Sequence, residues 1–154
     1  MSAQREPKKF VVSWTEFHRD TKALAWKLQE KSKEWKGVLS ITRGGMIPAA
    51  IVASELDIKL IETIGISSYD EKNQRSLEVI KNYNENILDD GSGWLVIDDL
   101  VDSGNTAKII KNRLPNAHIA TVYAKPAGEP LTDTYVTSVS QDTWIYFPWE
   151  VYTD

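Results

Sequence analysis

Twice along this chain a short apolar, β-branched run stops near a glycine-containing turn and then passes into a helical pattern. That repetition limits the fold more than any other feature. "GVLSIT", Gly37 to Thr42, ends at Arg43-Gly44-Gly45, after which "MIPAAIVASEL" reads as a helix with Pro48 near its first turn. "WLVIDDL" ends among aspartates, and beyond Ser103-Gly104-Asn105-Thr106 the stretch "TAKIIKNRL" reads as a helix stopped before Pro115. "KLIETIGISS" and "HIATVYAK" add two further strand patterns. Ahead of them all, Ser13-Trp14-Thr15-Glu16 has the form of a capping box, and Phe17, Thr21, Leu24 and Leu28 fall on one helical face. Strands alternating with helices imply an α/β fold whose central, mostly parallel sheet is flanked by helices.

Two segments stand outside that alternation. Ser68 to Gly93 is polar and rich in Asn and Asp, which predicts largely a mobile loop of the kind that closes over a site, with room for a short hairpin or helical turn. From Gln141 the tail "QDTWIYFPWEVYTD" concentrates aromatics without a clear period. No internal repeat, low-complexity tract or linker marks a second unit, and 154 residues suit one domain, 1–154, with residues 1–9 expected to be flexible.

Composition narrows the partners. A formal net charge of -4 argues against broad nucleic-acid affinity, which needs clustered Lys and Arg to displace counterions. The absence of cysteine excludes disulfides and thiolate metal sites. His18 and His118 are isolated and receive no catalytic role. The charged start "MSAQREPKKF" lacks an apolar signal core and no apolar run approaches a membrane span, so a soluble cytoplasmic protein is expected.

The aspartates pose the functional question. Ligands of open parallel sheets sit beyond the carboxyl ends of strands, where Asp98, Asp99 and Asp102 fall. The Ser103–Thr106 turn then opens a helix whose backbone N–H groups and dipole suit a phosphate monoester. Carboxylates would repel that phosphate unless they face sugar hydroxyls or a hydrated Mg²⁺, and a ribose 5-phosphate satisfies both halves.

Here the sequence resembles a known family. "VIDDLVDSGNTA" looks like the ribose-phosphate signature of type I phosphoribosyltransferases. "ITRGGMIPAAIVASEL", "ISSYDEKNQR", "YAKPAG" and "QDTWIYFPW" extend the resemblance to the bacterial purine enzymes of that family acting on xanthine and guanine. It implies the type I fold with a small C-terminal hood, and a purine salvage enzyme. Such an enzyme moves phosphoribose from 5-phosphoribosyl 1-pyrophosphate (PRPP) to N9 of guanine, xanthine and, less well, hypoxanthine, with Mg²⁺ as cofactor. Homo-oligomers, commonly tetramers, and loose association with the inner membrane face are also implied.

The same resemblance assigns residues. Asp98 and Asp99 hold the ribose hydroxyls, Asp99 is associated with Mg²⁺, and Asp102 serves as general acid or base at the purine N7. The segment Asp98, Asp99, Leu100, Val101, Asp102, Ser103, Gly104, Asn105 and Thr106 forms the phosphoribosyl site, with the 5-phosphate on its second half. Arg43 and Gly44 match the pyrophosphate loop, whose Thr42-Arg43 peptide is often cis, and Arg75 matches the arginine that the mobile loop brings to the pyrophosphate. Ser67, Ser68 and Tyr69 match the start of that loop. Lys125 donates to O6 of the purine, Trp144 stacks on it, and the backbone at Ile145 reads its 2-substituent. In the relatives the residue after Trp-Ile is acidic, whereas Tyr146 and Phe147 follow here, which bears on the order of preference among bases.

Other readings of the same residues stand beside these. The aspartates suit solvated acids capping the next helix, Lys125 an exposed strand-end lysine, and Trp149 a core or interface aromatic. A non-catalytic regulator on the same fold is the functional alternative, and it calls for a basic face or an added DNA-binding segment.

Overall fold

Local sequence rules account for how each element begins. The capping box forms: the Ser13 hydroxyl accepts from the Glu16 N–H at 3.1 Å and donates to the Glu16 carboxylate at 2.9 Å. The helix it opens buries Phe17, Thr21, Leu24, Ala25 and Leu28 along one face, as the spacing predicts. The computed structural model describes residues 8–71 and 74–150, and of residues 70, 71, 74 and 75 the backbone alone. In chain order the elements are β1 (Lys8–Val11), α1 (Trp14–Lys31), β2 (Gly37–Thr42), α2 (Met46–Glu55), β3 (Ile61–Glu71), β4 (Gln74–Lys81) and α3 (Glu85–Leu88). There follow β5 (Trp94–Val101), α4 (Asn105–Arg113), β6 (His118–Ala124), a 3-10 turn at Glu129–Leu131, β7 (Thr134–Ser138) and β8 (Thr143–Tyr146).

Six strands form one sheet in the order β4-β3-β2-β5-β6-β7. Every neighbouring pair is parallel except β3 with β4. The chain leaves β2 in one direction to make β3, then returns to the other side of β2 to make β5, so a topological switch point lies between β2 and β5. Crossovers of parallel strands are right-handed, and reversing their direction moves the connecting helix to the opposite face. Accordingly Ala49 and Val52 of α2 join Phe17, Leu24 and Leu28 of α1 on one face, while Ala107 and Ile110 of α4 join Leu39, Ile64 and Val96 on the other. Adjacent residues such as Val38 and Leu39, or Leu95 and Val96, enter opposite clusters. Burial on both faces is why these strands read as continuous apolar runs rather than as alternation.

Structure differs from expectation in three places. Ser68 to Gly93 is not largely loop: β3 continues to Glu71, β4 returns antiparallel with Leu77 opposite Ser68 and Val79 opposite Ile66, and α3 adds one turn capped by the Asn84 side chain. The apolar residues of β4 alternate with polar ones over too short a span to stand out from a polar segment, and Val79 gains burial against the α4-side core only once Ile66 of β3 is beside it. Residues 72 and 73, at the tip, lie outside the described residues.

The aromatic tail and the N-terminal segment make a second, two-stranded sheet. β1 pairs in parallel with β8, setting Lys8 opposite Thr143, Lys9 opposite Trp144 and Phe10 opposite Ile145. Lys8 and Lys9, expected within a flexible segment, are therefore strand residues, while residues 1–7 lie outside the described residues. A strand whose partner is at the other end of the chain leaves no local signal. The third difference is β7, an edge strand with no predicted counterpart.

Aromatic packing fastens this small sheet to the core. Phe147 and Trp149 stack with ring centroids 4.8 Å apart, and Phe17 meets them edge-on at 5.9 and 4.8 Å. Phe10 packs edge-on against Tyr123, whose hydroxyl donates to Asp20 at 2.7 Å. No helix among the described residues is long and apolar enough to cross a membrane. Because Phe17 is fully buried at the junction of helix, sheet and hood, Phe17→Ala is expected to cost about 3 to 5 kcal/mol in urea unfolding. The same substitution should loosen the hood, read as changed Trp fluorescence before the main transition.

Candidate active site

The carboxyl ends of β2, β3, β5 and β6 meet at the switch point, below the two-stranded hood. Between them is a cleft of about 1100 Å³, walled by Arg43, Gly44, Ser67, Asp98 and Asp99 on the sheet side and by Trp144 and Tyr146 on the hood side. A recess of about 110 Å³ adjoins it, lined by Leu100 to Ala107 and sharing Asp98 and Thr106 with the larger space. Charged groups thus occupy the floor, and aromatic rings the roof.

Between β2 and α2 the chain turns tightly. The Thr42–Arg43 peptide is cis, the Gly45 N–H donates to the Ile41 carbonyl at 2.7 Å, and the Met46 N–H donates to the Arg43 carbonyl at 3.1 Å. Gly44 lies against the neighbouring strand end: a Cβ there would fall 2.6 Å from the Asp99 carboxylate. A side chain at that position would press on the Asp99 carboxylate, which would have to shift to make room.

β5 continues to Val101, so Asp98 and Asp99 belong to its last half and Asp102 is the first residue beyond it. The Asp99 N–H donates to Asp98 Oδ1 at 2.9 Å. Burial raises Asp98 well above the ordinary carboxylate range, and the neighbouring Asp99 charge adds to it. Burial also pushes Asp99 up to about 6, against hydrogen bonds from Asp98 and the Leu100 N–H that favour its ionised form, with Glu150 contributing further repulsion. A cation or hydroxyl donors arriving beside the two acids would favour their ionised forms.

Asp102 has two side-chain partners. Lys125 Nζ donates to its Oδ2 at 3.3 Å, and Gln141 Nε2 donates to its Oδ1 at 2.8 Å. Lys125 is only 5% exposed and so is not a solvated strand-end lysine. Its backbone N–H donates to the Val101 carbonyl at 2.9 Å, which sets the lysine beside the aspartate. A buried ammonium next to a carboxylate presents one donor and one acceptor to adjoining atoms of a heterocycle.

After Asp102 the chain turns into α4 through Gly104, whose φ of +92° lies in the region that favours glycine. The Ser103 hydroxyl accepts from the Asn105 N–H at 3.3 Å, and Asn105 and Thr106 open the helix. Val101 is buried in the α4-side core and Leu100 packs against the opposite cluster, and both line the recess. Trp144 is exposed on the hood, while Ile145 beside it is buried. Trp149 both packs on the core and borders the cleft.

Not every expected residue reaches this place on the described atoms. Ser67 lines the cleft, and Ser68 and Tyr69 are exposed along β3. Arg75 has its backbone in β4 opposite Asp70, and its side chain lies outside the described residues. His118 is at the opposite end of β6, where burial lowers its pKa and its Nε2 is 2.7 Å from the Thr134 hydroxyl. Among the described residues no group of three or more His, Cys, Asp or Glu side chains could hold a metal ion by itself. Gln141 and Glu150 were missed by sequence reasoning. Gln141 stands inside a motif quoted above, but nothing local says that its amide reaches Asp102 across 39 positions.

An acidic strand end beside a glycine-opened helix, at the switch point of a doubly wound sheet, defines a protein that binds a phosphorylated sugar or nucleotide. The chain belongs to the phosphoribosyltransferase family, matching its phosphoribosyl transferase domain over residues 12–154. It is 58% identical over 142 residues to a protein of Desulfotalea psychrophila named xanthine-guanine phosphoribosyltransferase, covering 92% of this chain and 86% of that one. A Nitratidesulfovibrio vulgaris protein of the same name is 55% identical over 149 residues, 97% of this chain and 89% of its own. Among solved structures, the purine phosphoribosyltransferase of Pyrococcus horikoshii superposes with a TM-score of 0.78 at 25% identity, covering 96% and 97% of the two chains. The expected family and fold are thereby borne out.

The paired acids carry a pH consequence. Their folded pKa values lie above those of an unfolded chain, so their contribution to stability is full below about pH 4 and is lost as pH rises through the raised folded values, about 6 for Asp99. Asp98→Asn removes one charge of the pair. In ligand-free calorimetry its melting temperature should rise relative to the unsubstituted protein, and the gap should widen between pH 4.5 and 7.5.

Proposed function

We propose that this protein transfers the phosphoribosyl group of PRPP to N9 of guanine, xanthine and, less well, hypoxanthine, releasing pyrophosphate and giving GMP, XMP and IMP. The observation that carries the reading is the Lys125–Asp102 pair at 3.3 Å, a donor and an acceptor side by side at the end of the sheet. A 6-oxopurine offers the matching edge, with O6 to accept from Lys125 and the N7 proton to donate to Asp102. Adenine presents an amino group where O6 stands, so it sets donor against donor.

Each remaining residue has a part in this reading. The Ser103–Thr106 turn and the first N–H groups of α4 take the 5-phosphate, favoured by the helix dipole. Asp98 and Asp99 accept hydrogen bonds from the ribose hydroxyls. Arg43 and the Gly44 backbone take the pyrophosphate, and Arg75 on the β3–β4 hairpin, acting as a mobile lid, closes on it and excludes water from a sugar with oxocarbenium character. Trp144 stacks on the base, contributing on the order of 1 to 3 kcal/mol without discrimination. The Ile145 backbone reads the 2-substituent. Asp102 holds the N7 proton as N9 attacks the anomeric carbon and the pyrophosphate leaves.

Mg²⁺ fits this donor set. It commonly takes one or two carboxylates and completes its shell with water and substrate phosphates, and Asp98 with Asp99 offers two carboxylates beside the pyrophosphate loop. When bound it would neutralise charge on the pyrophosphate, and Asp99 is the residue that would hold it. A cytoplasmic homotetramer in loose contact with the inner membrane face completes the reading, and its support is the family resemblance alone. The regulator alternative gains nothing from relatives that are 54 to 58% identical and named as transferases.

Product formation should be measured from guanine, xanthine, hypoxanthine and adenine separately, with PRPP and Mg²⁺ and again with EDTA. Metal-dependent nucleotide from the three 6-oxopurines and none from adenine is expected; no product from any base would overturn the reading. Lys125→Ala should lower kcat/KM for guanine about ten- to a hundredfold, the scale of one charged hydrogen bond, with PRPP binding little changed. Asp102→Asn should lower kcat about a hundredfold or more while PRPP still binds in calorimetry.

A further inference from the structure

Gln141 lies in the segment between β7 and β8, at the approach to the hood, and its side chain spans two other parts of the site. Its Nε2 donates to Asp102 Oδ1 at 2.8 Å, and its Oε1 accepts from the Ala127 N–H at 2.9 Å. Ala127 is two residues after Lys125, in a turn closed by the Gly128 and Glu129 N–H groups donating to the Lys125 carbonyl at 2.9 and 3.0 Å. One carboxamide therefore joins the residue at the purine N7, the turn that carries the residue at O6, and the strand that carries Trp144.

The chemistry of the amide fits this place closely. A carboxylate calls for a donor and a backbone N–H for an acceptor, and a primary amide supplies both from one planar group. Flipping it would set its oxygen against Asp102 and its NH₂ against the Ala127 N–H, so the network fixes its orientation. Asn would be one methylene short, and Glu would replace the donor with a second negative charge. In the free protein Gln141 engages Oδ1 of Asp102 and Lys125 engages Oδ2.

We infer that Gln141 is a positioning residue: it holds Oδ1 of Asp102 so that Oδ2 is left to accept the N7 proton when Lys125 is drawn to O6. The inference deepens the proposed purine transfer and rests on it. Because the same amide belongs to the segment entering the hood, it also ties the orientation of Asp102 to the placement of the stacking roof.

A cycle of substitutions tests it. Gln141→Leu keeps the bulk and removes both hydrogen bonds; it is expected to lower kcat with guanine about tenfold, the scale of one charge-assisted hydrogen bond, with KM for PRPP unchanged. In an Asp102→Ala background the same substitution should change kcat less than about twofold, since its target is gone. Gln141→Glu keeps the acceptor for Ala127 but opposes Asp102, and it should be at least as damaging as Gln141→Leu. A side chain that merely tethers the turn would give equal losses in both backgrounds and near-normal turnover for Gln141→Glu, and either result overturns the inference. Full turnover by Gln141→Leu would do the same. If the unsubstituted protein forms no nucleotide at all, the purine reading fails and Gln141 loses its assigned role with it. Turnover by that protein with unresponsive Gln141 variants removes the role of Gln141 alone.

Discussion

Contact between the ends of β2 and β5 is the constraint on which the rest of the site depends. These strands are neighbours only because the chain reverses its direction of growth between them, and the reversal leaves a gap above their carboxyl ends that no crossover covers. Gly44 on one side rests against the Asp99 carboxylate on the other, which a Cβ would approach to 2.6 Å. The Ser103–Thr106 turn, the acids and Lys125, the residue after β6, are placed relative to that contact by sheet register.

The acids show a site held against its own electrostatics. Burial raises the proton affinity of both adjacent carboxyls, the Asp99 charge raises that of Asp98 further, and Glu150 adds repulsion at Asp99. Ordinary caps would be solvated and would meet no such penalty. The tension makes sense where a ligand brings hydroxyls and a cation to them, since these favour the ionised carboxylates that burial disfavours.

The hood solves a different problem. An exposed tryptophan needs a rigid base if it is to stack on a ligand, and four residues of β8 would not be stable alone. Pairing with β1 satisfies their backbone, Ile145 and Phe10 turn inward together, and the Phe17–Phe147–Trp149 cluster fixes the assembly to α1. Gln141 extends that rigidity toward Asp102, so roof and floor are linked by side chains as well as by the chain itself.

Sequence alone determined the alternation of strands and helices, their boundaries within a few residues, the Ser13 cap, and the segment from Asp98 to Thr106, because each is a local pattern of periodicity, turn chemistry and charge. Family resemblance supplied what spacing could not, including Lys125 and the cis Thr42–Arg43 peptide. The β3–β4 hairpin was concealed by its polar composition, since Leu77 and Val79 read as strand residues only beside β3. The two-stranded hood, the burial of Lys125 and the bridge from Gln141 to Asp102 were decided by tertiary structure. Each joins residues far apart in the chain, and a hydrogen bond or a burial energy between such residues has no value until the fold brings them together.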